Sequence, residues 1–574
     1  MNLVINKKFP NMHSETKNCQ NCKKDFVIEP EDFDFYKKID VPPPTFCPMC
    51  RFERRLLWRN EHNLYRAVDA ISGKEIFSEF NKSVSAKIYE VEYWKSDAWD
   101  PMQYGRPYDF KRPFFEQFKE LLYSVPWPSR SVQDLINSDY CAQAGHLKNC
   151  YLVFNSDTSE NVSYAIRVFG CKDSFDILDG SHGELLYETT LFKDLYKVFF
   201  SYNCAESQNI WCSQDLVGCS SCVGCVGLRK KSYHIFNQPY TKEDYEQKIA
   251  ELKLDTYRGV QRVVDRMREL ALRRPVRFMN GALNERSTGD NLVHTKNAQE
   301  CWGGNDMEDC KYCQMTYRGV KDSYDYCTWG DGSNRIYDSQ TCGYQVTDLK
   351  FCFDCWPSCQ RLEYAFFCRS SSDLFGCVSL KKKQYCILNK QYSKEEYEVL
   401  TAKIKKQMDE LPYIDARGNR YAYGEFLPVD LCPYAYNESQ LQSIFPVTKE
   451  VALSRGYRWA EVDIKEFTTT MSALDIPDRI TDVQDVIVKE LIACVSCKRA
   501  YRILVGELAF LKQQGIPAPR ECLSCRSARR SSLINPPVFY NRQCAKCSAA
   551  IRTTYAPDRS EIVYCETCYQ QEVV

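Results

Sequence analysis

Twelve cysteines fall into three sets whose spacing is that of metal ligands. Cys19, Cys22, Cys47 and Cys50 form two CxxC pairs with 24 residues between them, and Cys494, Cys497, Cys522 and Cys525 repeat that gap. Cys544, Cys547, Cys565 and Cys568 form a third set with a gap of 17 residues. A CxxC knuckle turns two thiolates toward one point, and two knuckles complete the closed four-sulfur shell of a structural zinc. The cofactor expected from these ligands is Zn2+, about three ions per chain. A catalytic zinc keeps one position open, whereas each set here supplies four thiolates, so no catalytic residue is assigned. The six histidines, His13, His62, His146, His182, His234 and His294, are scattered and none is paired at helical ligand spacing.

The elements that must carry these ligands are themselves copied. Every cysteine of the first set reappears in the second 475 positions later, and the register continues: Arg51, Arg54, Arg55, Asn60 and Tyr65 match Arg526, Arg529, Arg530, Asn535 and Tyr540. At the same offset, Asp69, Ser72, Glu90 and Tyr93 stand where the third set has cysteines. Two carboxylates with a serine and a tyrosine bind zinc poorly, so one ion is expected in the first module and two in the last. The arginines just after each second knuckle, Arg51, Arg54, Arg55, Arg526, Arg529 and Arg530, are candidate contacts for an anion or a nucleic acid. Their competing role is to offset the double negative charge of a four-thiolate zinc. From Cys494 to Val574 there are 12 Lys and Arg against 6 Asp and Glu, a surplus of six that two loaded sites reduce to two.

The segment Asn18–Arg55 (NCQNCKKDFVIEPEDFDFYKKIDVPPPTFCPMCRFERR) resembles the zinc-ribbon, treble-clef-like domain family. Its matching features are a CxxC followed by Phe and an acidic stretch, then FY, Pro, CxxCR and a basic pair. At the C-terminal copy Ala500 and Tyr501 replace the acidic residue and the Phe. The resemblance implies a short hairpin after the first knuckle and a helix after the second. The whole arrangement is similar to that of an uncharacterised family of zinc-binding proteins from candidate-phylum bacteria, which implies no particular activity.

Between the modules the chain is duplicated. Gly224–Tyr245 aligns with Gly376–Tyr397 at an offset of 152, and upstream the offset shrinks to 149 at Lys172 and 148 at Lys148. Within each half, aromatic residues recur: Tyr151, Tyr164, Phe175, Tyr187 and Tyr196 in one, Trp302, Tyr312, Tyr324 and Tyr337 in the other. The interval is 11 or 12 residues, and two such units make a coil of about 23, within the size range of solenoid repeats. The expectation is a Cys- and aromatic-rich β-solenoid (β-helix-like) in two halves, in which small inward residues stack in ladders; a β-sandwich is its competitor. Cys219, Cys222 and Cys225, and likewise Cys352, Cys355 and Cys359, have ligand-like spacing, but reduced core thiols are the favoured reading. Thr241 with Asp244 and Ser393 with Glu396 mark capped helices that brace the end of each half. After the first comes a stretch with Arg258, Arg262, Arg266, Arg268, Arg273, Arg274 and Arg277.

Length and composition frame the whole. The 574 residues are 44% hydrophobic and 26% charged, with 76 basic and 76 acidic side chains, so the chain folds and carries no global field for nucleic acid. The expected class is multidomain and mainly β. Residues 1–95 form a one-zinc module, 130–256 and 282–410 the two solenoid halves with helical ends, and 257–281 a basic helical linker. Residues 411–491 form a connector and 492–574 a two-zinc module. Met1–Asn11 lacks a signal-peptide core and no stretch of about 18 apolar residues occurs, so a cytoplasmic, membrane-free setting is expected. No phosphate loop, HExxH, GxSxG or dinucleotide fingerprint is present, so no nucleotide cofactor is expected. The reading that follows is a zinc-binding, non-catalytic interaction protein with a protein or nucleic-acid partner. Its alternatives are nucleic-acid binding through the Arg-rich modules, or a carbohydrate-active enzyme using Asp176, Asp179, Glu184, Glu188, Asp322 and Asp325 on the solenoid face.

Overall fold

The computed structural model describes residues 13–461 and 467–573; the segment Met1–Asn11, read above for a signal peptide, lies outside the described residues. The chain is mainly β and resolves into two compact units, neither of them continuous in sequence. One comprises Met1–Ser129 and Met279–Ala460, the other Arg130–Phe278 and Glu461–Val574. The N-terminal cysteine module therefore belongs with the second half of the duplicated centre, and the C-terminal module with the first, so the linear segments regroup.

In the first unit the strands Glu15–Asn18 and Asp25–Ile28 pair antiparallel and bracket the first knuckle, where the resemblance placed a hairpin after it. The second knuckle opens the helix Pro48–Leu57, with Cys47 as N-cap and Pro48 in the first turn, where its missing N–H leaves no bond unmade. The second unit repeats the plan with the helix Leu523–Ser531, capped by Cys522. In the segment before that module, the run from Asp482 (DVQDVIVKELIACV), whose sequence suggests a helix, forms instead two short 3-10 turns, Ile480–Asp482 and Asp485–Lys489, and the strand Ile492–Ala493. Val483, Val486, Ile487 and Val488 crowd this stretch with β-branched side chains, which lose rotamer freedom in an α-helix.

Each half of the centre is a ladder of parallel pairings. In the first, Ala142 lies beside Phe154, Val153 beside Ala165, Ala165 beside Ile177, Phe192 beside Cys204, and Cys222 beside His234, always a step of 12. One pairing interval is thus 12 residues, not the 23 expected from joining two units. Every third residue is buried, as in Val162, Ala165, Val168, Cys171, Ser174 and Ile177. The residue before each inward one takes left-handed φ: Asn161 54°, Tyr164 61°, Arg167 57°, Asp173 45° and Asp176 55°. That region costs a non-glycine residue roughly 1 kcal/mol, least for Asn and Asp, which explains why these corners are rich in both.

The tight interval also explains the cysteines and serines. Ser156 donates to the Phe154 carbonyl at 2.7 Å and accepts the Val168 N–H at 3.1 Å; Ser213 does the same with Trp211 and Cys225. Inward thiols donate in the same way, Cys150 to the Lys148 and Ser159 carbonyls. A small side chain with one donor satisfies corner backbone groups that a valine would leave unpaired. In the second half the step widens from 12 to 13, as at Met307 beside Val320 and Ile336 beside Leu349, then returns to 12 at Leu362 beside Leu374. Each extra residue sits at a corner, where Arg318 and Gly319, Asp331 and Gly332, and Tyr344 and Gln345 are paired left-handed residues. These insertions account for the drifting offset between the two halves.

Both ladders end in an antiparallel closure, Ile235 beside Gln238 and Ile387 beside Lys390. A capped helix follows each: Lys242–Leu252, whose Thr241 accepts the Asp244 N–H, and Lys394–Glu410, with the reciprocal Ser393–Glu396 box.

Candidate metal centres

The three cysteine sets converge. Within each, the four sulfurs lie within 4.8 Å of one another. Four thiolates around one zinc at about 2.3 Å place neighbouring sulfurs roughly 3.8 Å apart. The separations Cys22–Cys47 3.7 Å, Cys497–Cys522 3.5 Å and Cys547–Cys565 3.7 Å match that geometry. In each set the first cysteine receives a backbone N–H from the second knuckle at 3.2 Å: Cys47 to Cys19, Cys522 to Cys494, Cys565 to Cys544. Burial pushes Cys494 up, but the backbone N–H groups of Cys497 and Cys522 outweigh it and bring its thiol down to about 7. The same contest brings Cys544 down to about 6. One thiolate is thus favoured in each of these two sets, at the cysteine that receives the backbone N–H groups, while burial pushes Cys522, Cys525 and Cys568 up.

The arginines read as candidate anion contacts turn inward instead. Arg51 and Arg55 share Asp325, at 2.7 and 3.2 Å, and Arg54 and Arg55 share Asp338, at 2.8 and 2.7 Å. The C-terminal copy repeats this on the first half: Arg526 and Arg530 share Asp176, at 2.9 and 2.7 Å, while Arg529 and Arg530 share Glu188, at 3.0 and 3.2 Å. All four carboxylates occupy left-handed corners of the ladder. Arg51, Arg54, Arg55, Arg526 and Arg530 are buried, so they cannot also face a phosphate; Arg529 alone keeps an exposed side chain, at 42%. The phosphate reading fails because the ladder partners of these arginines lie some 270 to 350 residues away in sequence and cannot be seen from the helix. Asp338, Glu425 on Arg54 and Glu507 on Arg526 were missed, although the offset between halves sets Asp338 opposite Glu188. The groove of carboxylates proposed for an enzyme dissolves for the same reason. Asp176, Glu188 and Asp325 hold these arginines, Asp179 holds Arg167, and Asp322 holds Lys38; Glu184 is exposed.

The fourth site keeps its shape without thiolates. The hairpin Tyr65–Val68 with Glu75–Ser78 has the register of Tyr540–Gln543 with Ala550–Thr553, residue for residue at offset 475. Asp69 Oδ1 accepts the Glu90 N–H at 2.9 Å, the bond that Cys544 Sγ accepts from Cys565. Asp69 Oδ2 accepts Ser72 N–H, and Glu90 caps the helix Val91–Lys95 by accepting from Glu92 and Tyr93. Burial raises Asp69, but the Ser72 hydroxyl and the backbone N–H groups hold its carboxyl below the usual range. Tyr89 packs edge-on to Tyr93 and Trp99, with ring centroids 5.3 Å apart in each pair. A carboxylate and an aromatic cluster stand in for the ion.

Among the described residues, the groupings of metal-ligand side chains are these three sets, with no histidine and no central cysteine in them. Cys219, Cys222 and Cys225 are successive inward residues of the ladder and are buried, as are Cys352, Cys355 and Cys359. His146 lies between Asp134 and Asp157, and His294 beside Asp306, on the exposed corners. No helix among the described residues is long and apolar enough to cross a membrane. No protein-family model and no curated protein matches the chain.

Proposed function

We propose that this chain is a non-catalytic interaction protein in which three structural Zn2+ ions hold terminal zinc-ribbon modules on a two-part β-solenoid scaffold. The supporting observation is the repeated arginine clasp: in both units the helix that starts at the second knuckle docks its three arginines onto ladder carboxylates. Zinc, when bound, fixes the start of that helix and supplies folding energy of order 10 kcal/mol or more in small zinc modules. Cys19, Cys22, Cys47 and Cys50 would hold one ion, and the two C-terminal sets one each. All 32 cysteines are free thiols, which suits a reducing, cytoplasmic setting. The repeat scaffold then serves as a rigid frame that offers its outer surface to a protein or nucleic-acid partner.

The test is limited proteolysis before and after chelation, with released zinc titrated by a metallochromic dye. Cleavage confined to the two modules, in step with zinc release, is expected. Metal release that leaves both modules protected would reject a structural role for the ions.

A further inference from the structure

The helix Tyr257–Leu272 packs on the fold with Val260, Val263 and Met267, which are buried, and turns Arg258, Arg262 and Arg266 to solvent at four-residue spacing. That spacing sets a rise of about 6 Å between successive arginines. Among the described residues no carboxylate lies within ion-pair distance of Arg258, Arg262 or the exposed Arg273, in contrast with the clasp arginines. Arg266 lies over the Phe236 ring, its guanidinium carbon 3.9 Å from the centroid. Beside the row is a shallow cavity of about 390 Å³, whose lining includes Lys253, Arg258, Arg262 and Arg479 and, on the acidic side, Asp478 and Asp482. Asp478 is already engaged, accepting the Arg258 N–H at 3.1 Å.

The duplication shows that the fold does not need this charge. In the other unit the helix Phe114–Ser124 stands at the same place, leading into a strand that pairs Trp127 with Ile88 as Val276 pairs with Val563. It carries Glu116, Lys119 and Glu120, a net charge of minus one, where Tyr257–Leu272 has four Arg against Asp265 and Glu269. We propose that Tyr257–Leu272, extended by Arg273, is a docking surface for the sugar–phosphate backbone of a nucleic acid. The basic residues from Tyr257 to Arg277 are all arginine, whose planar fork matches phosphate oxygens in pairs. The surface reads no sequence, since a row of guanidinium groups on one helix face engages phosphates rather than base edges.

This inference rests on the binding-scaffold reading above. The experiment is fluorescence anisotropy of the full chain with a labelled 20-nucleotide single strand and a 20-base-pair duplex, across a salt series. R258Q/R262Q/R273Q is expected to weaken binding at least tenfold and to lower the slope of log affinity against log salt by about 2 to 3. K394Q/K403Q/K406Q, which removes as many charges from the helix Lys394–Glu410, is expected to bind as the parent does, and R258K/R262K/R273K to keep the salt slope while losing part of the affinity with the paired contacts. No binding by the parent, an unchanged slope in the triple glutamine variant, or equal affinity for polyglutamate would overturn the proposal. Metal content and the melting curve of each variant report separately on the scaffold, so a chain short of zinc would count against that reading and not this one.

Discussion

Replacing Asp69, Ser72, Glu90 and Tyr93 by cysteine should give the N-terminal module a second metal site. The backbone there already has the course of its four-cysteine copy, down to the N–H that Glu90 directs at residue 69. In the metal-free variant two bonds to the Asp69 carboxylate are lost, each about 1.5 kcal/mol, with a helix cap of about 1 kcal/mol, so the lobe is weaker by about 4 kcal/mol. A bound zinc returns of order 10 kcal/mol or more, so the loaded variant exceeds the parent by about 6 kcal/mol. Native mass spectrometry of D69C/S72C/E90C/Y93C, with and without zinc, checks the count, and denaturant midpoints check the balance. An ion count one above the parent, with a lobe more stable than the parent's only when loaded, is expected. A variant that stays folded yet gains no ion would refute the claim that the two modules share one ligand geometry.

Three further outcomes follow from the same contacts. Asp325→Asn strands the buried Arg51 guanidinium and leaves Arg55 with Asp338 alone, and equilibrium unfolding should show a loss of about 3 to 5 kcal/mol in that unit's transition. Ser213→Ala removes the acceptor of the Cys225 N–H and should cost about 1 to 3 kcal/mol, with Ser213→Cys costing less; both are read from the same curves. A chain split between Phe278 and Met279 separates each module from its half of the centre, so fragments made alone should aggregate and fragments made together should co-purify.

The cysteine sets were legible because metal chemistry fixes ligand type and spacing within a few residues of sequence. The duplication and the near-12 interval were legible from the aromatic ladder. The three-residue rhythm beneath it was not, because the inward positions are chosen by size and by a single donor. Cys171, Ser174, Ile177 and Gly183 serve alike there, and no alternation of apolar with polar residues marks them. The clasp was equally hidden: Arg51 finds Asp325 and Arg526 finds Asp176 only once the chain has crossed between units, and helix-local reasoning instead offered phosphate. The basic helix Tyr257–Leu272 was legible as a basic helical linker, but that its charge is not a requirement of the fold shows only against its acidic counterpart Phe114–Ser124.

The central claim is that three closed thiolate sites hold the modules in place. Its most direct test is zinc content per chain of protein purified without added metal, measured alongside the reactivity of its thiols before and after chelation. Three zinc ions are expected, with twelve thiols becoming reactive as they leave and the buried cysteines of the central ladders staying protected until denaturant is added. A chain without stoichiometric metal, or one with four or more ions, would contradict that claim.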